Sequence, residues 1–220
     1  MSTEPGPQEQ VEGRPWRGLS PQERRDARRR RLLDAALELF GTKGYAATSL
    51  TALCAAGGVS PRHFYELYPG REQLIADLYD ELCEQMRALI GEAQGSAPLT
   101  AADRVVAGLR AAIGYQTGDP RRARVLQLEV VGVSTWLEAH RHDVIAAFGR
   151  RTNDQYQLLV ADGQVVDEPF EQVAIAMVGA LNELVIGWLL AEPRPPGETL
   201  LPVAEEIFVT VFEAREVSRR

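Results

Sequence analysis

The chain has 220 residues, 45% apolar and 25% charged, enough for one large or two small domains around a real core. Two cysteines, Cys54 and Cys83, with no CxxC pair exclude a zinc knuckle and a disulfide scaffold, and they fit a reducing cytoplasm. The net charge of −7 speaks against a polyanion partner for the chain as a whole, but residues 14–71 hold eleven basic against five acidic side chains while residues 72–220 carry a net −10.

A basic module joined to an acidic body predicts a polyanion partner at one end only. Residues 1–19 are rich in Pro, Gly, Glu and Gln and are expected to be a disordered arm; they hold no apolar stretch of the kind a secretory leader carries. Ser20, Pro21 and Glu23 are a cap, a first-turn proline and a capping-box partner, so a helix is predicted from Ser20 to about Phe40. Leu32, Leu33, Ala36, Leu37, Leu39 and Phe40 form its apolar stripe, and Gly41 and Gly44 end it. Thr48 or Ser49 then caps a short helix carrying Leu50, Leu53 and Cys54, which Gly57 and Gly58 terminate. Ser60 caps a third, with Pro61 at its first position and Phe64, Tyr65 and Leu67 behind it. From Arg71 to about Gln94, Leu74, Leu78, Leu82, Met86 and Leu89 recur at helical spacing.

The remainder reads as helix near 100–117, 120–132, 134–162, 168–191 and 198–217, with no convincing strand and no internal repeat. The run Val173 to Ala191 is nearly all apolar. Asn182 and Glu183 fall in its middle, where a charge costs roughly 2.5–3.5 kcal/mol on insertion scales, so a buried helix is expected and no membrane span. The fold class is therefore all-α.

Two short helices around a glycine turn are the outline of a helix-turn-helix, whose second helix presents its first residues to base edges in the major groove. Arg62 and His63 are the exposed candidates there. Phe64, Tyr45 and Tyr68 read as core, and both cysteines read as small buried hydrophobes. His140 and His142 beside Asp143 are two positions apart, which turns the rings to different faces, so neither a metal site nor a cofactor is expected. No GxSxG, P-loop, HExxH or GxGxxG signature stands in its required context, so the chain is not expected to be an enzyme; an all-helical enzyme without a recognisable motif is the alternative of another class.

Taken in order, Phe40, Gly44-Tyr45, Thr48-Ser49, Gly58-Val59-Ser60, Phe64-Tyr65, Tyr68, Arg71-Glu72 and Leu74 resemble the tetracycline-repressor-like (TetR) transcriptional regulators, over about residues 28–78. Gly57, Pro61 and Arg62 depart from that family's common Ala, Lys and Gly. The resemblance implies a three-helix DNA-binding domain over 20–70 and a helical effector-binding and dimerisation domain over 71–220, with 71–94 as connecting helix. It implies DNA contacts by Thr48, Ser49, Ser60, Pro61, Arg62, His63, Tyr65 and Arg71, and a dimer bundle built from the last two helices. The function it implies is a cytoplasmic homodimeric repressor, released from a palindromic double-stranded operator by a small-molecule effector. An activator, or a regulator whose ligand promotes DNA binding, is the alternative of the same fold. Tyr115, Gln116, Gln127, Trp136, Tyr156, Met177 and Asn182 are the candidates for lining the effector pocket.

Overall fold

The computed structural model describes residues 20–98 and 100–217, so the arm expected over 1–19 lies outside the described residues. Helices α1 (Pro21–Lys43), α2 (Leu50–Gly57) and α3 (Pro61–Tyr65) come first. The long α4 (Arg71–Ser96) leads to α5 (Ala101–Thr117) and α6 (Pro120–Arg124), which runs on as a π turn over Val125–Glu129. Helices α7 (Thr135–Ala161), α8 (Glu171–Leu190) and α9 (Leu201–Glu213) complete the body, α9 following a 3₁₀ turn over Gly197–Leu200. Among the described residues the one departure from helix and loop is an isolated antiparallel bridge between Val165 and Glu216.

The starts of the first three helices are ones the sequence specifies, whereas α8 and α9 begin three residues later than the expected 168 and 198. The Ser20 hydroxyl accepts from the Glu23 N–H at 3.1 Å while the Glu23 carboxylate accepts from the Ser20 N–H at 2.6 Å, a closed capping box. Gly58 ends α2 in the left-handed region at φ 58°, where a Cβ would be strained. The predicted helix over 120–132 is instead two pieces, because the backbone widens into the π turn at Val125.

One apolar core runs from α1 to α4 and on into the body without a break. Leu32, Leu33, Phe40, Leu53, Phe64, Leu74 and Ile75 are at most 2% exposed, and Ala112, Val125, Leu126 and Leu137 continue the same cluster. Each such side chain contributes roughly 1.5–3 kcal/mol by leaving water. A second cluster joins α5, α7, α8 and α9 through Leu109, Tyr156, Phe170, Met177, Phe208 and Phe212.

Two crossings depend on a missing side chain. A Cβ on Gly41 of α1 would overlap the Arg121 side chain of α6 and lie 2.9 Å from its Cα. Arg121 is held there by Asp119, at 2.9 and 2.7 Å, and by Glu38 of α1 at 2.5 Å. Gly41→Val is therefore expected to lower stability by about 1–3 kcal/mol in urea unfolding, since α6 must move. At the other crossing, a Cβ on Gly149 of α7 would sit 2.5 Å from the Ile175 side chain of α8.

Candidate DNA-reading face and effector cavity

The candidate reading face is a five-residue helix with one buried anchor. Phe64 is fully buried, with its ring 5.8 Å from Tyr68 and edge-on to Tyr65. That anchor turns its neighbours outward: the Arg62 side chain is 88% exposed and Tyr65 60%. The one ion pair of Arg62 is with Glu66 at 3.5 Å, an exposed i,i+4 contact worth about 0.3–0.5 kcal/mol and easily exchanged for another anion. Among the described residues the Tyr65 hydroxyl has no hydrogen-bond partner. Ser60 caps α3: its hydroxyl accepts from the His63 N–H at 3.3 Å and lies 3.0 Å from His63 Nδ1. Pro61 is exposed, and Ser49 is exposed with its hydroxyl capping α2 through the Ala52 N–H at 3.1 Å.

Thr48 and Arg71 are placed otherwise. Thr48 is 1% exposed; its hydroxyl donates to the Gly44 carbonyl at 2.8 Å and its N–H to the Tyr45 carbonyl at 3.2 Å, so it is a buried loop lock with its polar groups already used inside the fold. Arg71 turns inward. Its guanidinium donates to the Tyr45 and Thr48 carbonyls and lies 4.8 Å over the Tyr45 ring, which ties the start of α4 to the α1–α2 loop. The basic run of α1 is also divided: Arg29 pairs with Asp77 at 2.9 and 2.7 Å, and Arg30 with Glu81, both on α4. These two arginines brace α1 against α4.

The α1–α2 loop is gripped from the opposite side as well. Glu129, at the end of the π turn, accepts from the Tyr45 N–H at 2.6 Å and from Arg124 Nε at 2.8 Å. Nothing in the sequence marks this glutamate; it reads as one more helix-surface acid.

The body encloses a cavity of about 120 Å³, against the ~10–15 Å³ that one water needs. It lies between α4, α5, α7, α8, α9 and the π turn. Of the residues expected to line it, Gln116, Gln127 and Asn182 do, as one chain of amides: Gln127 Nε2 donates to Gln116 at 2.8 Å and to Asn182 at 3.2 Å. The other four do not. Tyr115 faces away, donating to Gln85 at 2.8 Å under the Arg122 guanidinium, and burial pushes its phenol up to about 12. Trp136 is half exposed and stacks on His140, which itself meets Asp80 at 2.6 Å. Tyr156 stacks on Phe170 at 4.1 Å and donates to the Val166 carbonyl, and Met177 is buried in that same cluster.

The residues missed are Arg104, Arg141 and Arg151, with Gln94, Phe148 and Gln155. A signal existed: Arg141, Ile145, Phe148, Thr152, Gln155 and Leu159 recur at three- and four-residue spacing, a polar and apolar mixture on one face of α7. Cys83 also lines the cavity, its thiol pushed up to about 12 by burial, and stays an uncharged wall. No group of three or more His, Cys, Asp or Glu side chains that could hold a metal occurs among the described residues.

Residues 32–78, from the second half of α1 into α4, match the model of bacterial regulatory proteins of the tetR family. Over that segment the chain is similar to the tetR family. The TetR-type head is followed by a body whose fold recurs in solved structures. A TetR-family regulator from Syntrophomonas wolfei is 17% identical at TM-score 0.75, over 86% of this chain and 96% of its own. FadR from Bacillus subtilis in complex with stearoyl-CoA is 19% identical at TM-score 0.74, over 82% and 97%. FadR from Bacillus halodurans is 16% identical at TM-score 0.75, over 88% and 97%. At these identities the likeness is one of fold. No curated protein matches the sequence.

Proposed function

We propose that the protein is a homodimeric, non-enzymatic transcriptional regulator of the cytoplasm that reads a roughly palindromic operator and is released from it by a small molecule. The observation that carries this reading is the outward pair Arg62 and Tyr65 on a short helix anchored by Phe64, inside a segment matching a DNA-binding family. Residues 20–70 act as the reading head, and residues 71–220 as the effector and dimerisation body. Ser49, Ser60 and His63 stand at the starts of the two short helices, where amides and dipole favour phosphate.

The dimer rests on α8 and α9. Helix α8 is long and apolar enough to cross a membrane, with a mean hydropathy of 2.0, yet the single chain buries only 28% of that stretch. Sequence reading expects a buried helix here. The chain leaves one side bare, along Ala176, Gly179, Glu183, Gly187 and Leu190, beside exposed Val203 and Ile207 of α9. Small residues in that row allow a second copy to approach closely. Twofold pairing of those faces supplies two heads to half-sites about one DNA turn apart.

Release follows from the π turn. Leu126 and Gln127 line the cavity, and two residues on, Glu129 holds the α1–α2 loop. A ligand that shifts the turn changes how the loop and its helices sit, and so favours one of two arrangements of the heads. That the B. subtilis FadR holds stearoyl-CoA supports a ligand role for this body. Glu129→Gln keeps the volume and removes the charge shared by Tyr45 N–H and Arg124. It is expected to lower stability by about 1–3 kcal/mol and to shrink the ligand's effect on DNA affinity, read by urea unfolding and fluorescence anisotropy.

The function is tested by selecting bound fragments from a random duplex library with the full chain, alongside sedimentation. An inverted repeat bound by a dimer is the expected result. A monomer, or a library with no enrichment, overturns the reading.

A further inference from the structure

The cavity's charge is opposite to that of the body around it. Residues 72–220 carry a net −10, yet no acidic side chain lines the cavity, and Arg104, Arg141 and Arg151 do. Two of the three gather at one end. Arg151 lies across Gly91 of α4, and Arg104 of α5 donates to Gln155 at 3.1 Å, one turn beyond Arg151 on α7. Gln94 packs on Gly108 beside them. Arg104 Nε, Arg151 Nε and Gln94 Oε1 are shielded from water and lack any hydrogen-bond partner. Arg151 has no ion pair among the described residues. An N–H donor left unpaired in that state is costly, and an anion's oxygen removes the cost. Beyond this end the wall turns apolar through Leu109, Phe148, Leu181, Phe208 and Phe212. Arg141 stands about 15 Å further along α7.

We propose that the cavity binds an acyl-chain anion, a fatty carboxylate or its thioester on a phosphate-bearing carrier. The anionic head sits at Arg104 and Arg151, and the chain runs between α5, α7 and α9. This rests on the ligand-responsive reading above and names its effector class. A cation is repelled, an uncharged hydrocarbon leaves both guanidinium Nε groups unpaired, and a bare inorganic anion leaves the apolar wall unfilled.

Calorimetry on the full chain tests it with one chain length and five probes: decanoate, decanol, decyltrimethylammonium, decanoyl-CoA and CoA alone. Decanoate, decanoyl-CoA or both are expected to bind at least tenfold tighter than decanol, with CoA alone at least tenfold weaker than decanoyl-CoA and no binding of the ammonium. Which of the two anions is the tighter separates free acid from thioester. The R104Q/R151Q pair is expected to cost the anions at least tenfold and to leave decanol unchanged, and R104K/R151K to recover part of the loss. Circular dichroism and DNA affinity of both variants check that fold and head are intact. Equal binding of decanol and decanoate, binding of the ammonium, or anion affinity unmoved in R104Q/R151Q overturns the proposal. Should the anions bind as expected but leave DNA affinity unchanged, the ligand class stands and the regulatory reading falls. Should an uncharged compound release DNA while no acyl anion binds, the regulatory reading stands and the ligand class falls.

Discussion

Arg62→Ala is expected to reduce affinity for the selected operator by about thirtyfold or more. A bidentate guanidinium–guanine pair is worth roughly 1–3 kcal/mol, and a twofold dimer forgoes it at both half-sites. The effect is expected to be selective: preference relaxes at one symmetry-related base pair while nonspecific binding stays nearly constant. Tyr65→Phe supplies the contrast. It removes a hydroxyl that has no partner among the described residues, and loss of a phosphate contact there is expected to weaken every sequence alike. Neither change is expected to disturb folding, because among the described residues the Arg62 guanidinium pairs with Glu66 alone, at 3.5 Å on the surface, and the anchor is Phe64. Anisotropy titrations against operator and scrambled duplexes give the answer. Undiminished operator affinity in both variants would remove α3 as the reading element.

Gly179→Leu is expected to turn the dimer into a monomer and to reduce operator binding to that of a single half-site. A Cβ at Gly179 finds nothing within 4 Å in the single chain, so leucine fits there without strain, and helix propensity gains about 1 kcal/mol. The bulk matters only if another copy packs against that row. Gly149→Leu is the matched control, since its Cβ would lie 2.5 Å from Ile175 of the same chain, and it should destabilise the protomer itself. Sedimentation velocity separates the two cases. A G179L protein that remains dimeric and binds its operator normally would place the interface elsewhere.

Much of the head was legible because its signals are local. Ser20 with Glu23, Ser60 before Pro61, and Gly58 after a short apolar helix each specify backbone geometry by their own chemistry, and the structure follows them. Position 48 against 49 was not separable, since Thr and Ser cap equally well in sequence; burial of Thr48 by α1 and Arg71 decides it. The same limit explains Arg71. A basic residue on a helix looks alike whether it meets phosphate or a carbonyl and carboxylate brought from elsewhere in the fold. In the body, the aromatic candidates followed from composition, but Tyr115, Tyr156 and Trp136 use their polar tips on Gln85, a backbone carbonyl and His140, away from the cavity. The arginines that do line it looked like solvated surface charge. The π turn leaves no trace in the periodicity, because one extra residue in a five-residue stretch is within the noise of any apolar stripe.

Helix α4 belongs to both halves of the molecule at once. Leu74 and Ile75 sit in the core under the reading helix, while Tyr79, Cys83, Met86, Ile90 and Gln94 form one wall of the cavity. Twenty-six residues make a rod about 39 Å long, and a tilt of about 5° around its middle displaces each end by about 1.7 Å. That is more than a hydrogen bond to a base edge tolerates. A rod shared in this way is expected to carry a short stroke at the wall to the reading helix, so a ligand that stiffens the wall without tilting it is expected to occupy the protein and leave its DNA affinity unchanged.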